Sequence, residues 1–214
     1  MAHSLRTEAA PSPASETPDL APEDRVSEIR PISTPMVRIA ALELINESRA
    51  PWKAEDFARW CRRRLIETGL LPVTSRWLWV WEPGAPRVAL PTQEEPLDRR
   101  TAAAARQVLE LGRGAAVSAL RGWVESPRQE VWISAARRAG RVRRDSAMGE
   151  WYPVLGEGQT LSQWVLALVA SDLLDRRAYY EERLSVCDVC GSLAFRRGGP
   201  RTRCPSHQDE PEGV

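Results

Sequence analysis

Residues 187–207 read CDVCGSLAFRRGGPRTRCPSH, and the spacing inside that stretch decides the architecture of the C-terminal end: Cys187-x2-Cys190, thirteen residues, then Cys204-x2-His207. Two pairs of soft or borderline donors separated by a short loop are what a tetrahedral zinc ion needs. A CxxC turn brings two thiolates onto one metal, and Gly191 directly after it relieves the backbone where a side chain would crowd the turn. Residues 192–197 and 201–203 flank Gly198-Gly199-Pro200, a pattern that predicts strand, turn, strand and returns Cys204 and His207 to the knuckle. With Cys187, Cys190, Cys204 and His207 all present, every position around a four-coordinate ion is filled. The expectation is a closed structural zinc ribbon or treble-clef-like finger over residues 183–208, not an open catalytic centre.

Other uses of the cysteines fit less well. A redox CxxC pair follows a strand and opens a helix within a βαβ unit, whereas this one precedes a predicted hairpin and has a second pair to match it. A disulfide needs an oxidising compartment. The start of the chain, Met-Ala-His-Ser-Leu-Arg-Thr-Glu, has no apolar signal core, and no run of eighteen apolar residues occurs, so a cytoplasmic protein without a membrane span is expected. Cys61 falls on the apolar face of a predicted helix and reads as a buried small hydrophobe. His3 lies in a tail and reads as idle.

Working upstream, Thr160-Leu-Ser-Gln163 has capping-box spacing. The helix it opens carries Leu161, Trp164, Val165, Leu168, Val169 and Leu173 as a core stripe and is expected to run through Tyr179-Tyr180 into the finger. Asp172 and Asp175 read as solubilising residues on its polar side, beside Arg176 and Arg177. Ser126-x2-Gln129 has the same box spacing and predicts a short helix around Trp132 and Ile133. Residues 97–123 form an Ala- and Leu-rich helix weakened or bent by Gly112 and Gly114. Trp77-Leu-Trp-Val-Trp81 is the most strand-like segment, with 82–86 as turn and 87–90 as a returning strand, giving a β-hairpin near 76–90. Its tryptophans alternate onto one face and read as core; a platform for bases or for a protein partner through Trp77, Trp79 and Trp81 is the alternative. Further upstream, Phe57, Trp60, Cys61 and Leu65 share a face of a helix over 54–68, and Thr34-Pro35 opens a helix with Val37, Ala40, Ala41, Leu44 and Ile45 on its apolar side.

The expected fold is mainly α: a bundle of about five helices with a small β-hairpin over residues 35–182, followed by the finger. Residues 1–34 form a Pro/Ala/Glu-rich tail expected to be disordered, because they cannot bury enough apolar surface to offset their ordering entropy. Residues 209–214 make a short acidic tail.

Charge directs the functional reading. The chain carries 30 basic and 29 acidic residues, a formal charge of +1, so only local clusters can recruit a polyanion. Over 183–204, Arg183, Arg196, Arg197, Arg201 and Arg203 stand against Asp188, a local charge of +4. Arg137, Arg138, Arg141, Arg143 and Arg144 place five arginines within eight residues. Such runs are either solvated faces or phosphate-binding patches. Lys53 is the sole lysine, a bias that reports a GC-rich, bacterial genome more than any chemistry. No phosphate loop, dinucleotide fingerprint, HExxH or GxSxG motif occurs, so no enzyme is expected. Two functions compete: a DNA-associated regulator whose contacts are Arg183, Arg196, Arg197, Arg201, Arg203, Arg141, Arg143 and Arg144, and a non-enzymatic adaptor whose finger is purely structural.

The order of features resembles a bacterial family. Leu42-Glu-Leu-Ile-Asn46 comes first, then a helix with a tryptophan, Asp56-Phe-Ala-Arg-Trp60, leading to Gly69-Leu-Leu71. An apolar helix ends in Ser171-Asp-Leu-Leu174. The finger follows, with Arg183-Leu-Ser-Val-Cys187, Phe195, and Arg201-Thr-Arg-Cys204. Spread over residues 36–207, this order is similar to that of the CGNR zinc-finger proteins with an N-terminal ABATE domain. Cys204-Pro-Ser-His207 stands where that family has Cys-Gly-Asn-Arg, and its first cysteine pair is usually spaced more widely. What the resemblance implies is a transcription regulator with a helical sensory domain and a C-terminal DNA-binding finger.

Overall fold

The computed structural model describes residues 34–45, 52–127, 130–195 and His207. About 53% of them are helical, in six α-helices accompanied by three antiparallel strand pairs. The predominance of helix agrees with the sequence, whereas the ribbon formed by residues 142–144 and 151–153 was not expected from it. The predicted tails, Cys204, and Arg196, Arg197, Arg201 and Arg203 lie outside the described residues.

Helix α1 (Thr34–Ile45) starts at Thr34 itself, with Pro35 in its first turn, and buries Val37, Ala40, Ala41, Leu44 and Ile45, as their spacing predicts. Helix α2 (Ala54–Trp60) continues without a break into a π-helical turn, Cys61–Ile66. Phe57, Trp60, Cys61 and Leu65 are all buried there, and the Trp60 indole donates to the Ala40 carbonyl at 3.0 Å, locking α2 onto α1. Gly69 then turns the chain at φ 76°, a conformation that costs glycine little.

Strands β1 (Trp77–Val80) and β2 (Val88–Pro91) form the expected hairpin, but its faces are reversed from the core reading. Leu78 and Val80, paired with Leu90 and Val88, are buried, while Trp77 and Trp79 point outward at 40% and 41% exposure. A period of two allows only one set inside, and the branched aliphatic set packs on α3. The tryptophan rings are instead shielded by arginines, Arg76 over Trp77 and Arg87 over Trp79.

Helix α3 (Arg99–Glu125) is capped by Asp98, whose carboxylate accepts from the Arg100 and Thr101 amides. It runs unbroken through Gly112 and Gly114. Gly112 is a contact surface and not a bend: a Cβ there would lie 2.9 Å from the Leu161 side chain. Only glycine lets the start of α5 come that close. Helix α4 (Val131–Arg138) begins after Glu130, and Ser126 closes α3 instead of capping α4 as its box spacing suggested. Strands β3 (Val142–Arg144) and β4 (Trp151–Pro153) pair beyond it.

Helix α5 (Leu161–Asp175) is the axis of the core, buried on nearly every side and packed by α1, α3, α4 and β4. Its capping box is as predicted, with Thr160 Oγ accepting from the Gln163 amide and Gln163 Oε1 accepting from the Thr160 amide. Glu82 adds to it. Its buried carboxylate accepts from the Ser162 amide at 2.9 Å and from the Ser162 hydroxyl at 2.7 Å, so the hairpin loop seals the positive end of α5. After Arg176, whose φ of −136° breaks the helix, α6 (Arg177–Arg183) leads into strands β5 (Leu184–Val186) and β6 (Leu193–Phe195). No described helix is long and apolar enough to cross a membrane.

Candidate metal centre

The β5–β6 hairpin is a knuckle with the CxxC turn at its tip. Cys187 N–H donates to the Ser192 carbonyl and Gly191 N–H to the Cys187 carbonyl, each at 2.8 Å, and Gly191 takes a φ of 68° to close the loop. Cys187 is buried and Cys190 exposed at the turn. The strand predicted after Gly191 exists as Leu193–Phe195, but its described partner is the upstream Leu184–Val186.

His207 comes back to this turn. Its Nδ1 lies 3.7 Å from Cys187 Sγ, and the ligating atoms of Cys187, Cys190 and His207 all fall within 4.8 Å of one another. A tetrahedral ion held at about 2.3 Å by sulfur and about 2.0 Å by nitrogen spaces its donors by roughly 3.5–3.8 Å. The spread of up to 4.8 Å is wider than that, so these three side chains could hold a metal ion by closing inward slightly, and Cys204, the fourth donor by sequence, lies outside the described residues.

The knuckle is fixed to the helical core on two sides. Arg121 of α3 donates from Nη2 to the Gly191 carbonyl, tying the turn to the helix. On the other side the Phe195 ring sits 5.4 Å from Tyr179 and 5.6 Å from Tyr180 on α6. Tyr180 is held in turn by Asp172, accepting its hydroxyl proton bond at 2.6 Å. Burial, with the Asp172 charge next in weight, pushes the Tyr180 phenol well above its ordinary range, so it keeps the proton it donates to Asp172. Asp172 also takes Nε of Arg38 at 2.9 Å and Nη2 of the same guanidinium at 3.2 Å, which joins α1 to α5. The Arg38 guanidinium caps the Tyr179 ring from one position and Arg183 from another, 4.3 Å from its centroid. Arg183 is thus half-buried against an aromatic ring.

This network corrects the reading of Asp172 as a solubilising group. It is 1% exposed, and its position gave the signal: it follows Leu168 by four residues and Trp164 by eight, on the core face. Cys61 matches its reading, since burial pushes its thiol far above the ordinary range and leaves it inert.

The arginine run occupies a second place. Arg137, Arg138, Arg143 and Arg144 line an open groove with Ser134, Val142, Trp151 and Tyr152, built by α4, β3 and β4. Arg137 lies over the Trp151 ring at 5.0 Å, and Arg144 Nε donates to the Gly149 carbonyl. Arg141 is half-buried beside the groove and does not line it. The groove is backed by α5 and the knuckle by α3, and no described residue lines both. No family model, curated protein or solved structure matches this chain.

Proposed function

We propose that the protein is a zinc-binding, non-enzymatic regulator that associates with nucleic acid. Zinc suits a site of thiolates and imidazole better than the harder divalent ions do. With Cys204 as fourth ligand it completes a structural finger without an open position. Its role is to staple the C-terminal segment onto α3 and α6.

One observation carries the nucleic-acid reading. None of the four groove arginines forms an ion pair among the described residues, whereas Arg59, Arg62, Arg64, Arg76, Arg106, Arg176 and Arg177 all do. Four guanidinium groups without an ion pair among the described residues, beside half-buried Trp151 and Tyr152, suit phosphates with an adjacent stacking surface. By sequence, Arg196, Arg197, Arg201 and Arg203 supply a second cluster of positive charge, and the resemblance of the motif order to that of the CGNR proteins adds transcription regulation to the reading.

The test is fluorescence anisotropy with labelled duplex and single-stranded DNA across a salt series. Three or four phosphate contacts imply a log–log slope of about −3 to −4 on duplex. Arg143→Ala with Arg144→Ala lowers that slope by about two and weakens all sequences alike. A folded, metal-loaded protein that binds no nucleic acid at low salt overturns this reading. The adaptor reading then takes its place, because Trp77 and Trp79 are exposed on the outer face of β1.

A further inference from the structure

The arginine groove between α4 and the β3–β4 ribbon has a finer structure than its charge. Its helix wall is one face of α4, with Ser134, Arg137 and Arg138 at i, i+3 and i+4. Its ribbon wall sets each arginine across the strands from an aromatic ring, Arg143 opposite Tyr152 and Arg144 opposite Trp151. None of the residues lining the groove is acidic, and it offers about 680 Å³, within the range of roughly 300–1,000 Å³ that ligand sites occupy.

The two rings are not equivalent. Trp151 packs on the hydrophobic core, and Arg137 lies over its ring at 5.0 Å. Tyr152 is half-buried but stands outside that core. Among the described residues no guanidinium and no second ring lies over it, and no hydrogen bond holds its hydroxyl. Trp151 thus positions an arginine, whereas Tyr152 keeps a ring face for a ligand.

Resting on the nucleic-acid reading above, we propose that this groove selects single strands over duplex, stacking an unpaired base on Tyr152 while the four arginines hold the neighbouring phosphates. A base inside a duplex is paired and covered above and below, so it offers no ring face to a side chain. Electrostatics alone predicts the opposite order. Duplex has the denser charge, and each phosphate contact contributes about 0.9 to its salt slope against about 0.7 on a single strand. A preference for single strands is therefore the signature of the stacking and not of the arginines.

Anisotropy titrations of the full chain at low salt test this. The probes are a labelled mixed-sequence DNA strand of about 12 nucleotides, the same strand annealed to its complement, and an abasic strand of equal length. The single strand is expected to bind about tenfold or more tightly than the duplex, and than the abasic strand, which has the phosphates without the bases. Tyr152→Leu is expected to bring single-strand binding down to the abasic level with duplex binding unchanged, while Tyr152→Phe, which keeps the ring, retains the preference. Duplex or abasic binding as tight as that of the single strand overturns this proposal and leaves the nucleic-acid reading standing; both comparisons use the unaltered protein. Folded Tyr152→Leu with an undiminished preference overturns it as well. If no probe binds, the nucleic-acid reading falls, and this inference with it.

Discussion

Replacing Asp172 with alanine removes the counter-charge of Arg38, the acceptor of the Tyr180 hydroxyl and a longer contact to Arg176 at 3.6 Å. Breaking a buried ion pair from one side costs about 3–5 kcal/mol, because the remaining charge is stranded. The Arg38 side chain keeps 17% exposure, so water recovers part of its solvation and the low end, about 3 kcal/mol, applies. The orphaned phenol adds to this but not independently, since both partners share one carboxylate. At this chain length each kcal/mol moves the melting temperature by roughly 2–4 °C, giving a fall of about 6–12 °C. Chemical denaturation of the metal-loaded protein measures the free energy directly. The pair Arg38→Met and Asp172→Leu, combined, is expected to lose less than Asp172→Ala alone, because no charge is left unpaired. If Asp172→Ala stays within about 1 kcal/mol of the parent, or the double variant's loss equals the sum of the singles, the network does not join α1, α5 and α6 as argued.

The two glycines of α3 should respond with opposite signs. Gly112→Ala drives a methyl into Leu161 and is expected to destabilise by about 1–3 kcal/mol, while Gly114→Ala meets open space and is expected to stabilise by about 0.5–1 kcal/mol; denaturation midpoints of the pair decide it. Cys61 should stay unreactive towards a thiol reagent in the native protein, since its buried thiol holds its proton, whereas Cys190 should react once a chelator has removed the metal. Cys61→Ser should therefore leave the native thiol count unchanged.

Local signals in the sequence located most of the helices. Pro35, the Thr160–Gln163 box and the 3.6-residue stripes all describe interactions closed within a few residues, and those interactions persist in the fold. What the sequence concealed depends on partners far along the chain. Gly112 looked like a weak point because helix propensity counts only its own turn, yet its purpose is set by Leu161. Ser126 matched a capping box, but α3 had already claimed it as its end. Trp77 and Trp79 were correctly placed on one face, although periodicity cannot say which face turns inward when both could be buried. Asp172 was misread because an acidic residue near a helix end is usually solvated, and Arg38 lies 134 positions away. In the finger, the two pairs Cys187-x2-Cys190 and Cys204-x2-His207 pointed to Cys187, Cys190 and His207 as neighbours, whereas Arg121 carried no motif that would announce its bond to Gly191.

If the ion is zinc, the Cys187–Cys190 turn and His207 close on it together with Cys204. Elemental analysis of the purified full-length chain, paired with the visible spectrum of its cobalt-substituted form, tests this most directly. About one zinc per chain is expected, replaced by cobalt with the intense absorption of a tetrahedral thiolate site. Cys187→Ser and Cys204→Ser should lose the metal and loosen the segment beyond Phe195 to protease, while Cys61→Ser should keep it. A folded protein that contains no zinc and takes up no cobalt in tetrahedral form would contradict the account.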